Sequence, residues 1–213
     1  MRRLPVYLLI DVSGSMSGEP IEAVKNGLQT MQSALRKDPH ALEQAFVSII
    51  TFGSSVEQIL PLTEVVKFQA PPLEASGTTA LGAGLSLLAQ CAGKEVVKST
   101  VEQKGDWKPL VFLMTDGEPT DSIEKGLAEF QAQKWGLVVA CAAGAHANTA
   151  ILRKIAGENV ISLDTADSSS IAAFFKFVSS SISASSKKAD SGVEAGGLDD
   201  LPPLPPEISL AKN

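Results

Sequence analysis

Apolar residues recur along this chain in two alternating rhythms. Residues 5–12 form a continuous apolar, β-rich run, the pattern of a central strand covered on both faces. Ile21, Val24, Leu28, Met31 and Leu35 then fall at the 3.6-residue spacing of a helix over 19–36. Pro20 sits in its first turn, where a missing N–H costs nothing, and Pro39 follows its end. Residues 45–52 and 56–62 read as two strands joined by the turn Gly53-Ser54-Ser55, hence a hairpin. Beyond the break at Pro71-Pro72, Leu81, Leu85 and Leu88 mark one face of a helix over 80–97. The polar stretch 98–108 reads as a loop or a frayed helix end. Strands are expected at 109–115, 136–143 and 160–163, and helices at 121–134 and 149–156. Asp167 or Ser168 can cap a last helix whose apolar face carries Ile171, Phe174, Phe175 and Val178.

Six strands alternating with helices predict an α/β fold: a Rossmann-like, doubly wound, mostly parallel sheet with helices on both faces. In such sheets, sites form outside the carboxyl ends of the strands. The loops after Val12, Phe52, Thr115 and Ala143, and the loop before Ala80, therefore share one rim. Residues 184–213 lose all periodicity and turn rich in Ser, Pro and acidic residues. They read as a disordered C-terminal tail after a domain over 1–183. The alternative for 201–206 is a polyproline ligand anchored by Leu201 and Leu204 beside Asp199 and Asp200.

Composition narrows the function classes. The chain has 213 residues and a formal net charge of −6, with only 5% aromatics. That balance argues against a nucleic-acid surface, whose affinity comes from cations meeting phosphates and from base stacking. No apolar run approaches the ~20 residues a bilayer requires. The apolar stretch after Met1-Arg2-Arg3 stops at Asp11, too early for a cleaved leader. Cys91 and Cys141 each lie within apolar segments and read as buried free thiols, so a cytoplasmic location is expected.

Three separated segments bring oxygen-bearing side chains to the rim: Asp11-Val12-Ser13-Gly14-Ser15, Gly77-Thr78-Thr79 and Asp116-Gly117. Each alone is an ordinary turn or cap. Together they offer two carboxylates and several hydroxyls, without nitrogen or sulfur. Such a set suits a hard cation, Mg²⁺ with Mn²⁺ or Ca²⁺ as alternatives, and does not suit Zn²⁺. Asp121 either caps the helix after it or backs the site as a further carboxylate, and Glu118 reads as a solvated rim residue. His40 falls in a loop; His146 is either a plain loop residue or a contact near the metal. A hydrolase is the rival class. A dehalogenase-type phosphatase also places an Asp such as Asp11 at the end of strand one with Mg²⁺, but needs a second Asp where Ser13 stands. Gly14-Ser15-Met16-Ser17-Gly18 has Met at the centre of the serine-hydrolase elbow, and no phosphate-binding Walker loop is present.

The three segments resemble the metal-ion-dependent adhesion site of von Willebrand factor type A domains. Asp11 to Ser15 matches the family's D-x-S-x-S motif, Thr79-Ala80-Leu81 its threonine segment, and Leu113 to Glu118 its aspartate segment. The resemblance covers about residues 4–183. It implies a doubly wound sheet with one antiparallel edge strand, and a non-catalytic, metal-dependent protein-interaction module. Ser13 and Ser15 would bind the ion directly; Asp11, Thr79 and Asp116 would bind it directly or through water. Thr78 is the alternative to Thr79. An acidic side chain of a partner protein would complete the coordination. The start of the chain and the stretch 115–121 further resemble the family's bacterial tellurium-resistance members. That implies a stress-response signalling setting, with a protein kinase, a PP2C-type phosphatase or a zinc-ribbon-containing tellurium-resistance protein as partner.

Overall fold

A computed structural model describes residues 2–144, 147–194 and 201–211. The central strand β1 (Leu4–Asp11) is buried at every position. Its alternate residues feed two cores. Leu4, Val6, Leu8 and Ile10 point to one, Tyr7 and Leu9 to the other. β2 (Ala45–Phe52) and β4 (Leu110–Thr115) flank it in parallel, and β3 (Val56–Glu64) returns antiparallel on β2. Pro61 is tolerated in β3 because that strand forms the sheet's edge. β5 (Leu137–Ala143) and β6 (Val160–Leu163) continue the parallel series.

Helix α1 (Glu19–Leu35), α2 (Pro39–Gln44) and α6 (Ser168–Asp190) cover one face of the sheet. Helix α3 (Leu81–Glu95), α4 (Glu124–Gln131) and α5 (Thr149–Ala156) cover the other. Pro39 therefore does two things: it ends α1 and opens α2, whose cap Asp38 accepts N–H bonds from His40 and Ala41 at 2.9 and 3.0 Å. His40 stands in that helix rather than in a loop. α4 is shorter than its periodicity suggests, because Asp121 is engaged elsewhere, as described below.

Among the described residues the sheet has seven strands rather than the expected six, in the order β3-β2-β1-β4-β5-β6-β7. The seventh, β7 (Ser209–Leu210), comes from the segment expected to be disordered, and gives a second antiparallel edge. The boundary expected at residue 183 falls inside α6. The serine-rich half of that helix looks like low complexity, yet Ser179 and Ser181 donate to the carbonyls of Phe175 and Phe177 at 2.9 and 2.7 Å. With their hydroxyls satisfied by backbone, these small residues can be buried against neighbours. Leu201 and Leu204 pack half-buried on the α1/α6 core, and Ile208 is buried in it. The leucines thus anchor the segment to its own domain. Asp199 and Asp200 lie outside the described residues.

Candidate metal centre

Parallel register sets the site. Asp11 ends β1 and Thr115 ends β4, and the pairing of Ile10 with Met114 brings the two ends side by side. Asp11 has 0% exposure. Its Oδ2 accepts the Thr115 hydroxyl at 2.5 Å and its Oδ1 the Ser13 N–H at 2.8 Å. Burial pushes the Asp11 carboxyl above its ordinary range. Hydrogen bonds from Ser13 and Thr115 oppose that shift, and the charge of Asp116 adds to it.

After Asp11 the chain closes a 3₁₀ turn over Gly14–Met16. That turn lines up the hydroxyls. Ser13 Oγ and Ser15 Oγ are 3.0 Å apart, and Ser15 Oγ donates to Asp116 Oδ1 at 2.7 Å. The threonine loop is tied to the same turn by the Gly14 N–H on the Gly77 carbonyl, 2.9 Å. Gly77 has φ +77°, and a Cβ there would collide with Ser54 Oγ. Only glycine fits that position.

The adjacent threonines separate clearly. Thr78 turns to Ser54: its N–H donates to Ser54 Oγ at 2.9 Å, and the two hydroxyls lie 3.3 Å apart. Thr79 is buried and faces Gly117. A Cβ on Gly117 would stand 3.7 Å from Thr79 Oγ1 and 3.9 Å from Ser15 Oγ. The glycine leaves open a space onto which hydroxyls of two of the three segments converge. Asp11, Ser13, Ser15, Thr79 and Asp116 are thus gathered at one end of the sheet. Among the described residues, no three His, Cys, Asp or Glu side chains cluster as a metal site. The gathered donors are two carboxylates and three hydroxyls, a set that fits a hard divalent cation.

Two supporting residues, Thr115 and Thr120, escaped the sequence reading, and the partner of a third, Asp121, was misplaced. Thr115 holds Asp11. Thr120 clamps Thr79, accepting its N–H on Oγ1 at 3.1 Å and donating its own N–H to the Thr79 carbonyl at 2.9 Å. Asp121 caps α3, not the helix after it: Oδ1 accepts from Gly82 at 3.0 Å and Oδ2 from Ala83 at 2.8 Å. A hydroxyl or carboxylate close after Asp116 was the available signal, but its partner is remote in sequence. Glu118 does lie on the rim, where Asn148 donates to it at 3.4 Å. His146 lies outside the described residues. Cys91 and Cys141 are buried and free, and burial raises both thiols.

Comparison with known proteins adds the following. The model of the von Willebrand factor type A domain matches residues 6–177. An uncharacterized protein of Synechocystis sp. is 33% identical over 124 residues, covering 55% of this chain and 26% of that one. Among solved structures, proximal thread matrix protein 1 from the mussel byssus, with zinc occupying its MIDAS motif, has a TM-score of 0.62 at 18% identity. That match covers 84% of this chain and 48% of the mussel chain. A von Willebrand factor type A protein from Catenulispora acidiphila gives 0.60 at 18% identity, covering 86% and 43%. The pilus adhesin SpaC from Lactobacillus rhamnosus GG, in its open conformation, gives 0.65 at 15% identity, covering 86% and 30%. These likenesses show the shared fold. The chain spans about a quarter of the curated relative's length and less than half of each of these solved chains.

Proposed function

Because the chain belongs to the von Willebrand factor type A domain family, we propose that it is a metal-dependent protein-interaction module. One observation carries this reading. Ser13, Ser15 and Asp116 form a continuous hydrogen-bonded row beside buried Asp11, and Thr79 completes the set around the space at Gly117. Asp11, Ser13, Ser15, Thr79 and Asp116 would hold the ion. When bound, it supplies a Lewis acid able to take a carboxylate oxygen from an Asp or Glu of a partner protein. The chain's own part is to present these oxygens without supplying enough charge to quench the ion. Three of the five donors are neutral, and the two carboxylates only balance a divalent charge. The hydroxyls now donate within the row and toward Asp116; turned the other way, their lone pairs face the ion. The mussel protein with zinc in its motif supports a divalent cation at this position. The oxygen-only donors here favour Mg²⁺, with Mn²⁺ or Ca²⁺ as alternatives.

The rival reading, an Mg²⁺-dependent hydrolase with Asp11 as nucleophile, fits less well. Both Asp11 oxygens are occupied by hydrogen bonds, the residue has no exposure, and Ser13 stands where the acid–base carboxylate is needed. Resemblance to tellurium-resistance proteins of the TerY type supports a bacterial stress-response setting. Within that setting a kinase, a PP2C-type phosphatase or a zinc-ribbon protein would provide the acidic side chain.

A pull-down from bacterial extract tests the proposal, comparing Mg²⁺ with EDTA, and wild type with the double variant Ser13→Ala/Asp116→Ala. Proteins retained only by intact sites in Mg²⁺ are the expected result. Retention indifferent to chelator and to both substitutions would remove the metal bridge.

A further inference from the structure

The opposite pole of the molecule, at the amino ends of the parallel strands, carries a cavity of about 490 Å³. Trp107, Trp135, Val96 and Pro109 are among its walls. Both tryptophans are held rigidly. Trp107 has the Arg2 guanidinium 3.6 Å over its ring and donates its backbone N–H to the Arg3 carbonyl at 2.9 Å. Trp135 stacks on Phe130 at 4.8 Å and donates its indole N–H to the Phe130 carbonyl at 2.8 Å.

The rim is basic, in a chain whose net charge is −6. Lys98 comes from the loop after α3, Lys108 from just before β4, and Lys134 from just after α4. The one carboxylate among the described lining residues, Asp106, is consumed: Arg3 donates to it at 2.6 and 3.0 Å, and the Val97 N–H at 2.8 Å. The rim already accommodates a carboxylate, since Lys108 Nζ pairs with Glu194 at 2.9 Å. Val97, also lining the cavity, leaves 51% of its surface exposed. Rigid aromatic walls, an exposed aliphatic edge and lysines from three elements suit a ligand that is apolar at its centre and anionic around it.

We propose that this cavity is a second binding site, independent of the metal rim, for a short acidic peptide segment of a partner protein. An aliphatic side chain of the segment enters between Trp107 and Trp135, and its flanking carboxylates meet Lys98 and Lys134 and take the place of Glu194 at Lys108. The two poles would then let one chain bridge two partners, or two parts of one.

The chain's two tryptophans both line the cavity, so intrinsic fluorescence reports on its occupation. The probe is a synthetic peptide of about ten Asp and Glu residues with a central Leu-Leu pair, titrated into the full chain. Saturable change in tryptophan emission is expected. The affinity should fall about tenfold or more when the leucines become serine, when the acids become lysine, or in Lys98→Glu/Lys134→Glu. The milder pair Lys98→Ala/Lys134→Ala should weaken binding in the same direction. EDTA and Ser13→Ala should leave it unchanged, which separates this site from the metal rim. No saturable change up to millimolar peptide would overturn the proposal. So would equal binding of the serine-substituted peptide, indifference to both lysine pairs, or tighter binding of a single-stranded oligothymidine.

Discussion

Asp121 lies in the loop that follows Asp116, yet its carboxylate serves the first turn of α3. A cap of this kind is worth about 1–2 kcal/mol, and here it also steadies Thr79, which enters the same turn. Asp121→Ala should therefore lower the urea unfolding free energy by about 1–2 kcal/mol. It should also weaken metal-dependent partner retention, because the threonine loop loses its anchor. An unchanged urea midpoint would mean that the cap contributes nothing. Ser186 offers the opposite case. Its hydroxyl is buried and has no hydrogen-bond partner among the described residues, unlike those of Ser179 and Ser181 in the same helix. Removing an unsatisfied buried polar group relieves its desolvation cost. Ser186→Ala should raise stability by about 1 kcal/mol, again read from the urea midpoint; a loss of stability would show that the hydroxyl finds a partner. The grouping of the five candidate residues at one rim was legible because their types and spacing are local to three short segments. Thr115, Thr120 and the true partner of Asp121 were not, because each acts through a contact between segments that only the sheet register creates.

At the scale of elements, segments with a clear apolar pattern announced themselves even when short. β2, α5 and β6 match the sequence reading residue for residue, and Asp167 caps α6 by accepting the Ser170 N–H at 2.8 Å. Weakly patterned elements did not. α2 hides behind a proline that reads as a stop, and β7 has two residues in a proline-rich stretch. What orders β7 is tertiary. Its backbone adds to the β6 edge, the Ala211 N–H donates to the Val160 carbonyl at 2.8 Å, and Arg153 reaches the Ala211 carbonyl at 2.7 Å. Ile208, Leu201 and Leu204 add apolar burial that no periodicity foretells. Truncation after Glu194 should therefore destabilise the domain by a few kcal/mol, since burying one Ile alone is worth about 1.5–3 kcal/mol. Hydrogen exchange should accelerate in β6, whose outer edge becomes open. Unchanged protection over residues 160–163 would show that this segment does not close the sheet.

At the scale of the whole molecule, the two ends of the sheet differ in chemistry. Carboxylates and hydroxyls gather at the carboxyl ends of the parallel strands, and lysines surround tryptophans at the amino ends. The position of the first pole follows from a general property of doubly wound sheets, and its donors come from the D-x-S-x-S, threonine and aspartate segments. The second pole was not legible. Lys98 and Lys108 sit in a stretch that reads only as polar loop, and Trp107 and Trp135 come together from separate connections. No helix among the described residues is long and apolar enough to cross a membrane. The central claim concerns the first pole, and titration with Mn²⁺ followed by electron paramagnetic resonance tests it directly. The account expects one Mn²⁺ per chain, displaced by Mg²⁺ and lost in Ser13→Ala and in Asp116→Ala with the circular dichroism spectrum retained. No bound Mn²⁺ up to millimolar concentration, or binding that survives both substitutions, would contradict it.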